Sequence, residues 1–396
     1  MKKIIVFFSL LIVPLFVTAQ IVNIPDAKFK AELVGNSEIN TNGDYEIQVS
    51  EALAFTGFIG NLNSRGIKDM TGIEAFTQIT GLNCMYNFIT ILDVSKNTAL
   101  TQLYCHNNSL SSLDVTNNTA LVTFFCSNNP LNTLDVTQNT ALSTLFCSAN
   151  LLTNLDVTKN TALTNLYCYS NSLTSLDVTQ NTLLTLLNCN WNSLTSLDVA
   201  NNVELMELYC NSNSLTSLDL NQNIALTSLR CYNNSLTSLD VTQNTALTTL
   251  YCYDNLLTSL DIRNGNNMNL IDYYPLSYDP YPGIDVTGNP NLFCISVDDT
   301  AYSNTNWSPY KDSWAVYSND CTVGIADSEP SQPAITTQNN AIIITGKGTT
   351  SIYNLQGQRV HQSKLTGKTS ISLDKGIYLV RVIDGKRGII KKVYLN

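Results

Sequence analysis

A fixed period of 21 residues constrains this chain more than anything else in it. Cysteine recurs at that step from Cys84 to Cys252, through Cys105, Cys126, Cys147, Cys168, Cys189, Cys210 and Cys231. The dipeptide Leu-Asp keeps the step from Asp93 to Asp261, and asparagine keeps it from Asn87 to Asn255. One such unit is too short to close a core, so nine of them must stack, and the period predicts a solenoid. In the copy Leu100–Ala120, Leu103 and Cys105 alternate with Gln102 and Tyr104, the mark of a short strand with one buried face. Leu113 and Val115 flank Asp114 in the same way on the outer side of the coil. Asn-Asn-Ser and Thr-Asn-Asn-Thr supply the corners. Parallel strands stack at about 4.8 Å, so the array makes a strip of roughly 40 Å.

The unit LTQLYCHNNSLSSLDVTNNTA resembles the leucine-rich repeat, LxxLxLxxNxL, with Cys in place of the third leucine. The resemblance implies a mostly β fold: a leucine-rich-repeat solenoid of short parallel strands with N- and C-terminal caps. Residues 57–295 form that array, opened by a divergent repeat carrying Leu62, Ile67, Met70, Ile73 and Phe76. Terminal repeats depart from the pattern because one face meets water. Residues 20–56 form the N-terminal cap, with a short helix after Pro25-Asp26 that places Phe29 and Leu33 on one face. After Arg263 the register falters: Tyr273 stands where the next Cys is due, Asp285-Val286-Thr287 resembles an outer strand, and Cys294 resumes the ladder. Residues 296–322 read as the closing cap. Eleven cysteines less the nine of the ladder leave Cys294 and Cys321, which export would join in a disulfide.

Residues 1–19 read as a secretory signal peptide: Lys2 and Lys3, the apolar run Ile4 to Val17, then Val17-Thr18-Ala19. No stretch reaches the roughly 20 apolar residues of a membrane span. From Gln20 to Gln338, 9 Lys and Arg stand against 29 Asp and Glu, a formal charge of −20. From Asn339 onward, 10 stand against 2, which gives +8. Such asymmetry marks two domains, and the acidic part argues against nucleic acid or an anionic membrane as partner. Residues 323–338 read as a linker, and 339–396 as short strands separated by Gly and Asp turns, a small β-sandwich. Gly357, Gly376-Ile377-Tyr378, Val380-Arg381-Val382 and Lys391-Lys392-Val393 are placed as in the C-terminal sorting domain of the type IX secretion system of Bacteroidetes, which this tail resembles. That resemblance implies passage through the outer membrane, with release or surface attachment, and contact with the type IX secretion machinery.

Few residues invite chemistry. The sequence holds two histidines, His106 and His361, and none of the common nucleophile, phosphate or zinc motifs, so no enzyme is read here. The stretch Asn40 to Glu51 resembles an EF-hand calcium loop, with Asn40, Asn42, Asp44, the Glu46 carbonyl and Glu51 as ligands. Its sixth place holds Tyr45 instead of glycine, and a polar turn capping the array is the other reading. Apart from calcium at this loop, no cofactor is expected. The cysteines point inward and lack a CxxC or a repeated histidine, so they read as small apolar core residues. The aspartates read as acceptors for their own backbone two residues on, and the Asn ladder as an internal partner for the turn backbone.

The candidate binding surface is the concave face beside that core. Tyr104, Phe125, Phe146, Tyr167, Tyr209 and Tyr251 form one column, interrupted by Asn188 and Arg230. Tyr169, Tyr232 and Tyr253 stand two residues on, with His106 in the same column, and Trp191 lies one residue further. Exposed aromatic surface of this kind marks a protein or glycan ligand, whereas simple cross-strand shielding is the plainer account. The expected role is an exported binding or adhesion protein, with a glycan binder or a surface-layer component as alternatives.

Overall fold

The computed structural model describes residues 20–272, 281–321, 334–338, 340–384 and 387–395. The signal peptide, Tyr273 and most of the linker lie outside the described residues. The chain divides into two units, Met1–Asn319 and Asp320–Asn396.

The first unit is the solenoid. Its main sheet has eleven parallel strands, running from Phe58–Ile59 through Gly81–Asn83 and Gln102–Tyr104 to Thr249–Tyr251 and Ile284–Asp285. Between Gly81 and Tyr251 each strand residue pairs with the one 21 positions away, as Leu145 does with Leu166 and Leu166 with Leu187. The sequence period thus becomes the hydrogen-bond register. The nine strands between the two end strands are each three residues long, and their middle residue is buried.

Inside, equivalent side chains lie one above another. In the coil from Leu163, the residues Leu163, Leu166, Cys168, Leu173 and Val178 are fully buried and Leu176 is nearly so. At roughly 1.5–3 kcal/mol for each large apolar side chain, this stack is the main stabilising term. Polar residues bind the coils as well. Asn150 donates through Nδ2 to the carbonyls of Cys126 and Cys147, while its Oδ1 accepts from the Leu131 amide. A second ladder, unremarked in the sequence, runs from Asn97 to Asn244 at the same step and is buried throughout. There Asn181 donates to the carbonyls of Val157 at 2.9 Å and Asn160 at 2.8 Å, both one coil back.

On the outer side, strands form only late in the array. Ser238–Asp240, Ser259–Asp261, Cys294–Ser296 and Val316–Ser318 make a parallel sheet of four. This corrects the reading of the final turn. Ile284–Asp285 pairs with Leu250 and Tyr251 in the main sheet, so Val286 takes the buried place due to the next cysteine. Cys294 pairs across the outer sheet instead. The Asp285–Thr287 bonding is local and fits either side of a coil. Position is fixed by Asn289, whose Oδ1 accepts from the Leu257 amide as a ladder asparagine does. Cys294 and Cys321 are disulfide-bonded, and the nine ladder cysteines are free and buried.

The N-terminal cap carries a helix, Ala27–Val34, with Asp26 capping the amides of Lys28 and Phe29. Phe29 and Leu33 are buried, as their spacing predicts. A second helix, Val49–Ala54, follows the polar loop and was not apparent from the sequence.

The second unit holds a three-stranded and a four-stranded antiparallel sheet. Ile342, Ile344 and Ile371 from one and Ile352, Val380, Val382 and Val393 from the other share one apolar core, which makes a sandwich. Ala334–Gln338, placed in the linker by composition, is a strand paired with Ala341–Thr345. Gly357 holds φ +77° in the turn after Asn354, a conformation that favours glycine.

Candidate functional site: the face of the main sheet

Period-2 alternation decides what this face presents. Each strand buries its middle residue and turns its two outer residues away from the core. The register therefore lines up three outward rows, one starting at Gln102, one at Tyr104 and one at His106.

The middle row is a ladder of rings. Tyr104 meets Phe125 edge-on at 5.0 Å, Phe125 lies 4.2 Å from Phe146, and Phe146 stacks on Tyr167 at 3.9 Å and 16°. These residues are half-buried, and their faces are covered by one another. Asn188 then breaks the stack. Beyond it, the Arg230 guanidinium lies between two rings, 5.2 Å from the centroid of Tyr209 and 5.4 Å from that of Tyr251. In the third row Tyr232 and Tyr253 stack at 4.3 Å and 8°. Tyr169 is half-buried in the same row. His106 meets Tyr86 edge-on, and its partial burial lowers its pKa. Cross-strand shielding therefore accounts for much of the aromatic surface, and the free ring faces lie at interruptions and ends.

Charge gathers at one of those interruptions. The Tyr209 hydroxyl donates to the Glu207 carboxylate in the first row, and burial together with that bond pushes the phenol up to about 12. Tyr167 is also raised, by burial and then by the charge of Glu207. Glu207 thus acts on the rings either side of Asn188.

Two features of this region escaped the sequence reading. The first is an aliphatic lip where the chain turns into the sheet. Leu183, Val203, Met206 and Ile224 are each 45–61% exposed, at positions that elsewhere hold mostly Thr, Ser or Ala. The second is backbone strain. The residue after the third row is left-handed in every coil, and most coils use a small or polar residue there. Trp191 holds φ +53° and Tyr86 φ +55°, with both rings more than half exposed. A bulky residue in that region is costly, and comparing this position between coils would have shown it.

In the polar loop, the side chains expected to hold calcium are hydrogen-bonded within the protein. Glu51 accepts from the amides of Thr41, Asn42 and Gln48 and from the Thr41 hydroxyl, and so caps the second helix. Asp44 accepts from the Glu46 amide and from the side chains of Gln48 and Asn42. Asn40 turns its Nδ2 to the carbonyls of Val34 and Asp44, and Glu46 pairs with Lys30. These bonds hold the polar side chains of the loop close together and join it to the second helix.

The cysteine ladder is equally inert. Burial raises every thiol, and Cys84, Cys147 and Cys189 are pushed up to about 12. The aspartate ladder is bound locally: Asp156 Oδ1 accepts from the Thr158 amide at 2.9 Å and hydroxyl at 2.7 Å. These bonds hold Asp93, Asp114, Asp156 and Asp177 below the usual carboxylate range. A groove of about 760 Å³ runs along this outer side, lined by Asp114, Asp135 and Asp156 and by Leu113, Leu134 and Leu155. It repeats the consensus from coil to coil, so it reflects construction and not specialisation.

Residues 329–396 match a protein-family profile described as a secretion system C-terminal sorting domain. No curated protein matches the chain. The structure is similar to the functional domain of InlJ from Listeria monocytogenes, described as including a cysteine ladder. Identity is 25%, coverage is 96% of this chain and 99% of that one, and the TM-score is 0.51. It is also similar in fold to the internalin InlF from Listeria monocytogenes, at 20% identity, 77% and 99% coverage and a TM-score of 0.52.

Proposed function

We propose that this leucine-rich-repeat chain, which carries a type IX secretion sorting domain, is a surface or secreted protein that binds another protein across its main sheet. The sorting domain gives the destination, the cell surface or the medium. Among the described residues no helix is long and apolar enough to cross a membrane. The observation that carries the binding role is where the repeat departs from its own consensus. Around the coil 184–204 the aromatic row is broken by Asn188, the lip turns aliphatic and Trp191 occupies a strained, exposed position. A purely structural coil needs none of these, and exposed apolar groups clustered beside the Glu207 carboxylate suit a protein partner. Stacked rings offer edges, not faces, which counts against a sugar lying along the column. The test is recovery of a partner from the outer surface or medium with the full chain, beside a glycan array. Recovery lost in the Tyr167→Ala, Tyr209→Ala double variant supports the proposal. Glycan binding that survives without a protein partner would replace it.

A further inference from the structure

The middle row offers an internal comparison. Its members Tyr167, Asn188, Tyr209, Arg230 and Tyr251 follow at 21-residue steps on adjacent parallel strands. Two of them, Asn188 and Arg230, each stand between a pair of tyrosines. At Arg230 the array shows what such an interval holds: a guanidinium between ring faces, 5.2 and 5.4 Å from the two centroids. At Asn188 the same interval is spanned by a side chain too short to reach between the rings. Tyr167 and Tyr209 are two strand spacings apart there, roughly 10 Å.

We infer that the interval at Asn188 is a slot for one arginine side chain of the protein partner, sandwiched between Tyr167 and Tyr209 and paired with Glu207. This deepens the binding role proposed above and rests on it. Two observations support it. Glu207 accepts from the Tyr209 hydroxyl, yet among the described residues it has no ion pair. Its charge also bears on Tyr167, so it reaches across the interval from the first row. A planar guanidinium fits between rings and onto a carboxylate together, and a compact ammonium does not. The aliphatic lip at Leu183 and Met206 favours apolar residues next to that arginine.

The probe is the tripeptide acetyl-Leu-Arg-Leu-amide, with Lys and citrulline versions, titrated into the full chain and read by saturation-transfer NMR. The arginine peptide is expected to bind at about tenfold higher affinity than the lysine peptide, and the uncharged citrulline peptide to show no transfer. Asn188→Arg repeats the arrangement at Arg230, so it should fold normally, fill the slot and abolish binding. Asn188→Ala should leave binding intact, and Glu207→Gln should weaken it about tenfold. No transfer from the wild-type chain, equal binding of the citrulline peptide, or binding retained by Asn188→Arg would overturn the slot. With a recovered partner the two claims separate. A partner lost in the tyrosine double variant but kept by Asn188→Arg overturns the slot alone, whereas one indifferent to both overturns the binding surface as well.

Discussion

The buried asparagine ladder makes the sharpest stability test, because its work is confined to two bonds per residue. Asn181 is fully buried, and its Nδ2 holds the carbonyls of Val157 and Asn160 in the coil behind it. Those carbonyls also accept from the amides of Asn160 and Leu163, so losing Asn181 leaves neither wholly unpaired. Asn181→Ala should therefore cost about 1–3 kcal/mol, two net hydrogen bonds. Asn181→Asp keeps the shape but sets a carboxylate against two carbonyl oxygens, an uncompensated buried charge that costs about 3–5 kcal/mol at neutral pH. Burial raises the folded pKa of that carboxyl above its unfolded value of about 3.9. The aspartate variant is thus least impaired below about pH 4, where a protonated oxygen can donate to one carbonyl, and loses stability as pH rises. Urea unfolding across pH with the disulfide intact measures this. Asn233→Asp is the control, since Asn233 is exposed and the equivalent Asp254 has the same φ of +53°. If the two aspartate variants unfold alike at pH 7, the buried amides do not bind coil to coil.

Three further outcomes follow from the same geometry. Trp191→Asn should raise the melting temperature, by relief of about 1 kcal/mol of left-handed strain, and an unchanged or lowered value would remove the case for strain there. None of the nine ladder thiols should react with a disulfide reagent at pH 8 in the native chain, and all should react in denaturant; native reactivity would contradict their burial. Asp114, Asp156 and Asp177 have folded pKa values below the unfolded value, so they contribute stability above about pH 4 that is lost as pH falls further. Thermal melting with Asp156→Asn should show a shallower acid loss than the parent.

The array was legible because a solenoid turns sequence period directly into register. Leu, Cys and Asn at a constant step gave the buried stack, the strands and the turn bonds without any long-range inference. The last coil was misread for the same reason. Once residues are inserted after Arg263, only the length of the excursion decides whether Asp285-Val286-Thr287 returns to the inner or outer side, and local bonding cannot tell. Asn97 to Asn244 went unnoticed because asparagine in a turn-rich sequence looks like surface. The aromatic column was visible, but not that its rings cover one another, since stacking depends on side-chain angles. The loop at Asn40 has the spacing of a metal site, and the helix that Glu51 caps just after it gave no sign in the sequence.

The central claim is that the outer side and the core build the array, and that the main sheet around Asn188 does the binding. Hydrogen exchange of the full chain with and without its recovered partner tests this most directly. New protection is expected at Asn165–Tyr167, Leu186–Asn188 and Glu207–Tyr209, with the outer side at Asp114 to Asp177 unchanged. Protection confined to the outer side, with those strands unaffected, would contradict it.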